Sequence, residues 1–216
     1  MGDPGRLIAF EGVEGAGKST QLELLRRALE GRWGGPPEGR SREVVVTREP
    51  GGTPAGERIR ALLLDPQLEL QPRAEALLFA AARAELVENL IRPALERGAV
   101  VLCDRYLDSS LAYQGGARGL GVDEVERINR FATGGLAPDL TFLLEIDPAA
   151  AAQRAGESDR FEDEGAVLQE AVLAAYERLV ASEPERWRRV DATRAPEQVH
   201  ADVLAEVEAA RSGARA

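Results

Sequence analysis

The chain has 216 residues, a length typical of one domain that buries a substantial hydrophobic core. Its 37 acidic and 27 basic residues give a formal net charge of −10. This balance disfavours sequence-independent binding to nucleic acid polymers and to anionic membrane surfaces, so a phosphate-bearing ligand should be bound by a local basic pocket.

The cysteine content and the N-terminal residues bear on the cellular compartment. Cys103 is the only cysteine, which excludes an intramolecular disulfide, and no cysteine and histidine cluster has the spacing of a zinc site. The first apolar run, residues 7–10, is too short for a secretory signal or a transmembrane helix. We therefore expect a cytoplasmic protein whose partners include neither a membrane nor a nucleic acid polymer.

Short apolar runs alternate with longer helix-compatible stretches along the chain. Four runs rich in apolar or β-branched residues predict strands, at residues 7–10, 44–46, 100–103 and 140–146. Helical patterns lie between and after them, including an alanine- and leucine-rich stretch at 72–95 and an amphipathic one at 196–210. Residues 31–42 are rich in glycine, proline and arginine and predict an exposed loop. The alternation predicts a single α/β domain over residues 1–216, in which helices cover both faces of a parallel sheet.

Residues 12–19 match the phosphate-binding motif G-x-x-x-x-G-K-[S/T], after a predicted strand and at the start of a predicted helix. Its glycines let backbone N–H groups converge on phosphate oxygens, the Lys18 ammonium reaches the outer phosphates, and the Ser19 hydroxyl can bind Mg²⁺. A chance glycine turn before a helix is the simpler alternative, and the preceding strand argues against it. The predicted ATP-binding residues are Gly12, Val13, Glu14, Gly15, Ala16, Gly17, Lys18, Ser19 and Thr20.

Lys18 is the only lysine in the chain, and every other basic residue is an arginine. A flexible ammonium suits a phosphate as a point charge, so this placement supports the motif. The guanine-recognition motif N-K-x-D needs a second lysine, so the sequence argues strongly against an ordinary GTPase switch. Asp104 follows the predicted strand at 100–103, where a carboxylate can lie beside Mg²⁺ in a phosphate-loop site. Ser19 and Asp104 are therefore the candidate metal ligands.

Six segments, the first of which contains the phosphate loop, follow one another along the chain. They are FEGVEGAGKST at 10–20, TREPGGT at 47–53, LFAAAR at 78–83, DRY at 104–106, SSLAYQGG at 109–116 and VDAT at 190–193. With these segments the chain resembles the bacterial thymidylate kinases over about residues 6–207. The resemblance implies a phosphate-loop kinase fold with a five-stranded parallel sheet and a short lid. It also implies a homodimer that phosphorylates dTMP to dTDP with ATP and Mg²⁺, in dTTP synthesis for DNA replication.

The resemblance also implies roles for individual residues. The dTMP-binding residues would be Glu14, Arg48, Phe79, Arg83, Arg105, Ser109, Tyr113 and Gln114. Among them, Phe79 would stack on thymine, Arg83 would hydrogen-bond the base, and Tyr113 would pack beneath the sugar. The residues alone allow simpler interpretations, because Phe79 could be a core residue and Arg48 and Arg83 could form surface ion pairs.

The lid is the segment in which the chain departs from the family pattern. Residues 153–162 are shorter than the arginine-rich lid of similar enzymes, and Arg154 and Arg160 are the remaining candidates to contact ATP. Either arginine could instead pair on an exposed helix. The predicted catalytic residues are Lys18, Asp104, Arg105, Arg154 and Arg160.

Two other functions remain open from the sequence. One is a kinase for another deoxynucleoside monophosphate. The other is an ATP-dependent switch protein, which would show slow ATPase activity and no monophosphate acceptor. The arginine-bearing motifs after the second and third strands favour a kinase, because an anionic acceptor next to ATP needs fixed positive charges.

Overall fold

The computed structural model describes residues 5–32, 42–154 and 165–212. Within these residues the chain forms a sheet of five parallel strands in the order β2-β3-β1-β4-β5. The strands are β1 (Arg6–Glu11), β2 (Val44–Arg48), β3 (Val100–Asp104), β4 (Leu140–Glu145) and β5 (Trp187–Asp191). The prediction of a parallel sheet flanked by helices is confirmed.

The helices of the described residues pack on both faces of this sheet. They are α1 (Lys18–Arg32), α2 (Pro54–Leu64), α3 (Pro72–Leu86), α4 (Arg92–Glu96), α5 (Leu107–Ser110), α6 (Val122–Thr133), α7 (Pro148–Ala152), α8 (Gly165–Ser182) and α9 (Pro196–Ser212). Two π-helical turns, Val87–Ile91 and Leu111–Ala117, continue α3 and α5. Among these helices, none combines the length and the apolar character needed to cross a membrane.

Alternation along the strands divides the core between the two faces of the sheet. Ile8 and Phe10 of β1 lie in a buried cluster with apolar residues of α1 and α9. Leu7 and Ala9, the intervening residues, lie in a cluster with the α3–α4 stretch on the opposite face. Because both faces are covered, the strands read as continuous apolar runs, as expected for a buried parallel sheet.

The register brings the carboxyl ends of three strands to one edge. Asp104 at the end of β3 lies opposite Phe10 of β1 and opposite Arg48 of β2. In open parallel sheets, ligands bind in the crevice beyond the carboxyl ends of the strands. The motifs that follow β1, β2 and β3 therefore meet at a single crevice.

The long helix predicted at 72–95 is interrupted by a wider turn. The Arg92 N–H donates to the Val87 carbonyl, five residues back, before the chain resumes an α-helix at Arg92–Glu96. Pro93 has no N–H and cannot be accommodated inside a regular helix without losing a hydrogen bond. The π-turn ends just before this proline, so Pro93 lies in the first turn of α4, where that loss is tolerated.

Several other boundaries differ slightly from the sequence predictions. Strand β4 ends at Glu145, one residue before the predicted end, and α9 continues to Ser212. Helix α1 extends to Arg32, at the start of the predicted exposed loop. Residues 33–41 of that loop lie outside the described residues.

Candidate active site

One cleft of about 860 Å³ lies at the carboxyl edge of the sheet. The phosphate loop and the turn after β5 line one end, and the segments after β2 and β3 line the other, together with α3 and the π-turn Leu111–Ala117. The residues predicted to bind ATP and those predicted to bind dTMP thus lie mostly in the same cleft. A donor and an acceptor nucleotide could be held there side by side.

The phosphate loop connects β1 to α1 through glycines that other residues could not replace. Gly12, Gly15 and Gly17 all have positive φ, at 133°, 73° and 90°. A Cβ atom on Gly15 would lie 2.1 Å from the Ala151 carbonyl oxygen. The loop therefore depends on glycine both for its backbone conformation and for its close approach to α7.

Lys18 is held inside the loop. The residue is 7 % exposed, and its ammonium donates hydrogen bonds to the carbonyls of Val13, at 2.9 Å, and Gly12, at 3.2 Å. Burial lowers the pKa of Lys18 to about 8, and the nearby Arg105 charge acts in the same direction. A phosphate group bound in the loop would place a negative charge beside this ammonium.

Ser19 and Asp104 form the predicted metal pair. The Ser19 hydroxyl donates to Asp104 Oδ2 at 2.9 Å, which joins the first turn of α1 to the end of β3. Hydroxyl and carboxylate oxygens are hard ligands, and Mg²⁺ usually takes a few of them together with water and phosphate oxygens. These two residues fit a magnesium ion bound together with a nucleotide.

Arg105 is the one non-glycine residue with positive φ, 65°, in the described chain. A residue with a Cβ pays roughly 1–2 kcal/mol for this conformation. The Arg105 N–H donates to the Phe10 carbonyl at 2.9 Å, and the guanidinium donates to Ser109 Oγ at 3.2 Å and lies 5.4 Å from the ring centre of Tyr113. The strained turn thereby brings Arg105 to the cleft lining, close enough to Lys18 of the phosphate loop for the two charges to interact.

Glu11 organises the turn after β3, a role that the sequence reasoning missed. Its fully buried carboxylate accepts from the Tyr106 N–H at 2.9 Å, the Ser109 N–H at 3.2 Å, Ser109 Oγ at 2.6 Å and Tyr176 Oη at 2.7 Å. Burial raises the pKa of Glu11, with the nearby Asp108 carboxylate as a further cause. The signal was present in the sequence, as a charged residue at the end of an otherwise apolar strand.

Arginines from two elements line the acceptor end of the cleft. Arg48, half exposed at the end of β2, donates to both carboxylate oxygens of Glu57 at 3.0 Å. Arg60 of α2 donates to the Pro50 carbonyl at 3.0 Å and also lines the cleft. The sequence reasoning missed Arg60, because it lies outside the short motif at 47–53, although it is on the helix that follows that motif.

Aromatic and amide side chains lie at the same end. Phe79 is partly exposed and lines the cleft with Ser109, Tyr113 and Gln114, instead of joining the buried core clusters. The core interpretation of Phe79 is therefore not supported, and its stacking on thymine stays a prediction. Gln114 is 1 % exposed, so only a small part of this side chain faces the cleft.

Arg83 differs from the other predicted dTMP residues because it lies behind the cleft lining. The guanidinium is 1 % exposed and donates to Glu49 Oε2 at 2.7 Å, Ser110 Oγ at 3.1 Å and the Tyr106 carbonyl at 3.2 Å, and also to Asn129. Burial raises the pKa of Glu49 to about 7, against the opposing effect of Arg83. The structure places Arg83 in support of the lining residues, and its direct hydrogen bond to the base stays a prediction.

The lid arginines are described only in part. Arg154 lines the donor end of the cleft and donates to the carbonyls of Ala192, at 2.9 Å, and Thr193, at 3.4 Å. Arg160, and residues 155–162 of the predicted lid, lie outside the described residues. Arg154 is thus placed beside the VDAT segment, in the lining of the same cleft as the phosphate loop.

Glu14, Ala16 and Thr20 also line the cleft at the phosphate-loop end, whereas Gly12 and Val13, which were also predicted to bind ATP, do not. Two other residues with titratable side chains lie elsewhere. Cys103 is fully buried in β3, where desolvation raises the pKa of its thiol, and His200 is partly buried on α9. Neither lines the cleft.

Comparison with known proteins gives a consistent result. A family model described as thymidylate kinase matches residues 10–203. A thymidylate kinase of Deinococcus radiodurans is 47 % identical over 206 residues, which cover 94 % of this chain and 96 % of that protein. A thymidylate kinase of Pelotomaculum thermopropionicum is 49 % identical over 93 % of this chain and 91 % of its own length. One of Bifidobacterium longum NCC 2705 is 48 % identical over 94 % and 97 %.

Proposed function

Since the chain belongs to the thymidylate kinase family, we propose that it transfers the γ-phosphoryl group of ATP to dTMP in the cleft at the carboxyl edge of the sheet. It is an ATP:dTMP phosphotransferase that serves the synthesis of dTTP for DNA replication. The observation that carries the assignment to this cleft is the joining of the phosphate loop and the arginine- and aromatic-lined segments in one space of about 860 Å³.

The reaction needs alignment and charge neutralisation more than it needs a base. The second pKa of a phosphate monoester lies at about 6, so the acceptor oxygen of dTMP is already largely ionised near neutral pH. Lys18 and Arg105 both line the cleft, and their charges would stabilise the negative charge that spreads over the equatorial oxygens of the transferred group. Arg48 and Arg60 lie at the acceptor end, where they would hold the dTMP phosphate in line with ATP.

Magnesium would be held by Ser19 and Asp104. Their oxygens lie 2.9 Å apart at the start of α1, beside the loop that receives the phosphates of ATP. The ion would neutralise charge on the outer phosphates of ATP when it is bound. The hydrogen bond between the two side chains holds both oxygens next to each other, where a single ion could bind to both.

Arg154 is proposed as the lid arginine that approaches ATP. Its two carbonyl partners, Ala192 and Thr193, belong to the turn after β5 that lines the donor end. In this position the guanidinium would lie beside the phosphates of a nucleotide held by the phosphate loop. Closure of the lid would exclude water, which would otherwise accept the phosphoryl group in place of dTMP.

The protein is proposed to be a homodimer in the cytoplasm. Leu62 of α2, Leu77 of α3 and Phe131 of α6 are 48 %, 56 % and 92 % exposed, and α3 packs against both α2 and α6. Large apolar side chains on adjacent helices are typical of a surface that another protein covers. A second copy of the chain is the partner we propose for it.

A coupled assay for ADP release tests the proposed function most directly. The wild-type protein is given ATP, Mg²⁺ and, in turn, dTMP, dUMP, dCMP, dAMP or dGMP. We expect the highest kcat/KM with dTMP, because the cleft presents both an aromatic and an amide side chain to the base. A higher value with another deoxynucleoside monophosphate would reassign the substrate, and slow ATP hydrolysis without any acceptor would indicate a switch protein.

A further inference from the structure

A buried carboxylate lies behind the base end of the cleft. Glu75, in the first turn of α3, is fully buried. Arg118 donates to it from Nε to Oε1 and from Nη2 to Oε2, each at 3.2 Å. Gln114 donates from Nε2 to Oε1 at 2.9 Å. We refer to Glu75, Gln114 and Arg118 as the Glu75 cluster, and only Gln114 of the three lines the cleft.

The chemistry of Glu75 fixes the orientation of the Gln114 amide. Both oxygens of the Glu75 carboxylate accept hydrogen bonds from Arg118, and a carboxylate accepts hydrogen bonds but does not donate them. The group that Gln114 turns towards Glu75 must therefore be its NH₂, since a carbonyl oxygen there would face another acceptor. Within the part of the chain that the structure describes, Gln114 Oε1 accepts no hydrogen bond.

We propose that Glu75 is a positioning residue that sets the choice of pyrimidine by holding Gln114 with its carbonyl oxygen towards the cleft. The proposal rests on the proposed function, because it assumes that the base of the acceptor nucleotide lies beside Gln114. Arg118 contributes by holding the Glu75 carboxylate in place through its two-pronged contact. Neither Glu75 nor Arg118 touches the substrate, and both act through the amide of Gln114.

The selectivity follows from the hydrogen that each base carries at N3. Thymine and uracil have an N3–H donor, which pairs with a carbonyl oxygen. Cytosine has an unprotonated N3, which is an acceptor and leaves Gln114 Oε1 facing a second acceptor in a desolvated site. Polar sites discriminate most strongly when the wrong ligand leaves a buried group unpaired. An acceptor fixed at this point thus favours thymine and uracil over cytosine.

Glu75→Gln is the variant that separates orientation from mere structural support. A glutamine at this position must place its NH₂ either at the site of Oε2, facing Arg118 Nη2, or at the site of Oε1, which Gln114 and Arg118 Nε share. Gln114 then no longer faces a group that only accepts, so its amide can rotate and present NH₂ to the cleft. We expect the ratio of kcat/KM for dTMP to kcat/KM for dCMP to fall by about tenfold to a hundredfold. The change should lie mainly in KM, because the phosphate groups and the phosphate loop are unaltered.

Two variants serve as controls. Glu75→Asp keeps a group that only accepts, so the ratio should stay near that of the wild type even where both rates fall. Glu85→Gln makes the same substitution at an exposed position on the same helix, and it should leave both rates unchanged. Thermal denaturation of each variant reports whether it folds.

The outcomes distinguish this inference from the proposed function. If Glu75→Gln retains the wild-type ratio, or lowers kcat/KM for both nucleotides by the same factor, the positioning role is wrong. If the wild-type protein has no activity with dTMP, the proposed function itself fails. The Glu75→Gln variant therefore tests the positioning role, and the wild-type protein tests the proposed function.

The wild-type protein gives a second test that needs no change at Glu75. The side-chain NH₂ protons of Gln114 can be assigned by NMR from their loss in Gln114→Met. In the protein without nucleotide they should exchange slowly with solvent, because they face a buried carboxylate. Rapid exchange would mean that they face the open cleft, which would overturn the proposal.

Discussion

Lys18 carries a proton whose binding should depend on the nucleotide. Its pKa is lowered to about 8 by burial in the loop, whereas the phosphates of a bound ATP would raise it. Below pH 8 the ammonium is charged in both states, and above pH 8 the free protein loses the proton that the complex keeps. ATP binding should therefore take up a proton at pH 9 and should weaken by up to about tenfold per pH unit above pH 8.

Isothermal titration calorimetry at pH 7 and pH 9 checks this expectation, with two buffers of different ionisation enthalpy at each pH. The observed binding enthalpy should depend on the buffer at pH 9, and the contribution from Lys18 should vanish in Lys18→Met. A wild-type enthalpy that is independent of the buffer at pH 9 would contradict the assignment of the lowered pKa to Lys18.

Tyr176 should contribute both to stability and to catalysis, through Glu11. Its hydroxyl donates to the buried Glu11 carboxylate at 2.7 Å, and that carboxylate also holds Ser109, which contacts Arg105. Tyr176→Phe leaves the buried Glu11 carboxyl group with one hydrogen-bond partner fewer, which should lower the free energy of unfolding by about 1–3 kcal/mol. It should also lower kcat/KM for dTMP, because the support of Arg105 is loosened.

Tyr106→Phe is the matched control. The Tyr106 hydroxyl donates to the Leu136 carbonyl at 3.2 Å, away from the cleft, so its loss should cost only about 0.5–1.5 kcal/mol and leave kcat/KM unchanged. Urea denaturation and steady-state kinetics on both variants measure the two effects. Equal kinetic effects in the two variants would show that Tyr176 acts only through stability.

At the scale of elements, the phosphate loop is constrained by what surrounds it. Gly15 and Gly119 both have φ near 70°, but a Cβ at Gly15 meets the Ala151 carbonyl, whereas a Cβ at Gly119 meets nothing within 4 Å. Gly119→Ala should cost only about 1 kcal/mol of stability, from the backbone alone. Gly15→Ala adds a collision between the loop and α7, and should remove most ATP binding and activity.

Denaturation and ATP-binding measurements on the two alanine variants test this difference. Because both residues need the same backbone region, the comparison isolates the effect of the close approach to α7. Retention of wild-type ATP affinity in Gly15→Ala would mean that α7 can move away, and that the position of the loop is not set by this contact.

The elements that could be predicted from sequence are those whose local pattern and buried environment agree. The runs that became β1, β3 and β4 are apolar because they are buried on both faces, and the phosphate loop is predicted from its glycine spacing. The π-turn at Val87–Ile91 could not be predicted, because it results from how α3 and Pro93 are fitted on one sheet face. The sequence pattern of a single segment does not show how that segment packs against its neighbours.

The residues of the candidate site also divide into those that the sequence predicted and those that it did not. Residues within short motifs, such as Lys18 and Arg105, were predicted and do line the cleft. Residues that support them from other elements, such as Glu11, Tyr176 and Glu75, were missed, because their roles arise from contacts between distant parts of the chain. The separation of Arg83 from the cleft lining is likewise a property of packing, which the motif at 78–83 does not encode.

At the scale of the whole molecule, the exposed apolar residues on α2, α3 and α6 predict self-association. Phe131, 92 % exposed, is the largest apolar side chain that this surface offers. A stable dimer usually buries about 800 Å² on each partner, and an aromatic residue near the centre often contributes strongly to its affinity. We therefore expect the wild-type protein to be a dimer at micromolar concentration, and Phe131→Asp to shift it to a monomer.

Val167→Asp provides the comparison for this surface. Val167 lies on α8 and is 81 % exposed, so the substitution adds the same charge at an equally accessible apolar residue outside the proposed interface. Sedimentation equilibrium should give a dimer for Val167→Asp and a monomer for Phe131→Asp. A monomeric wild-type protein, or a dimer that survives Phe131→Asp unweakened, would place the interface elsewhere or remove it. The net charge of −10 makes two copies of the chain repel each other, so the apolar contact must outweigh this repulsion. Because salt screens the repulsion, the affinity of the wild-type dimer should increase with salt concentration.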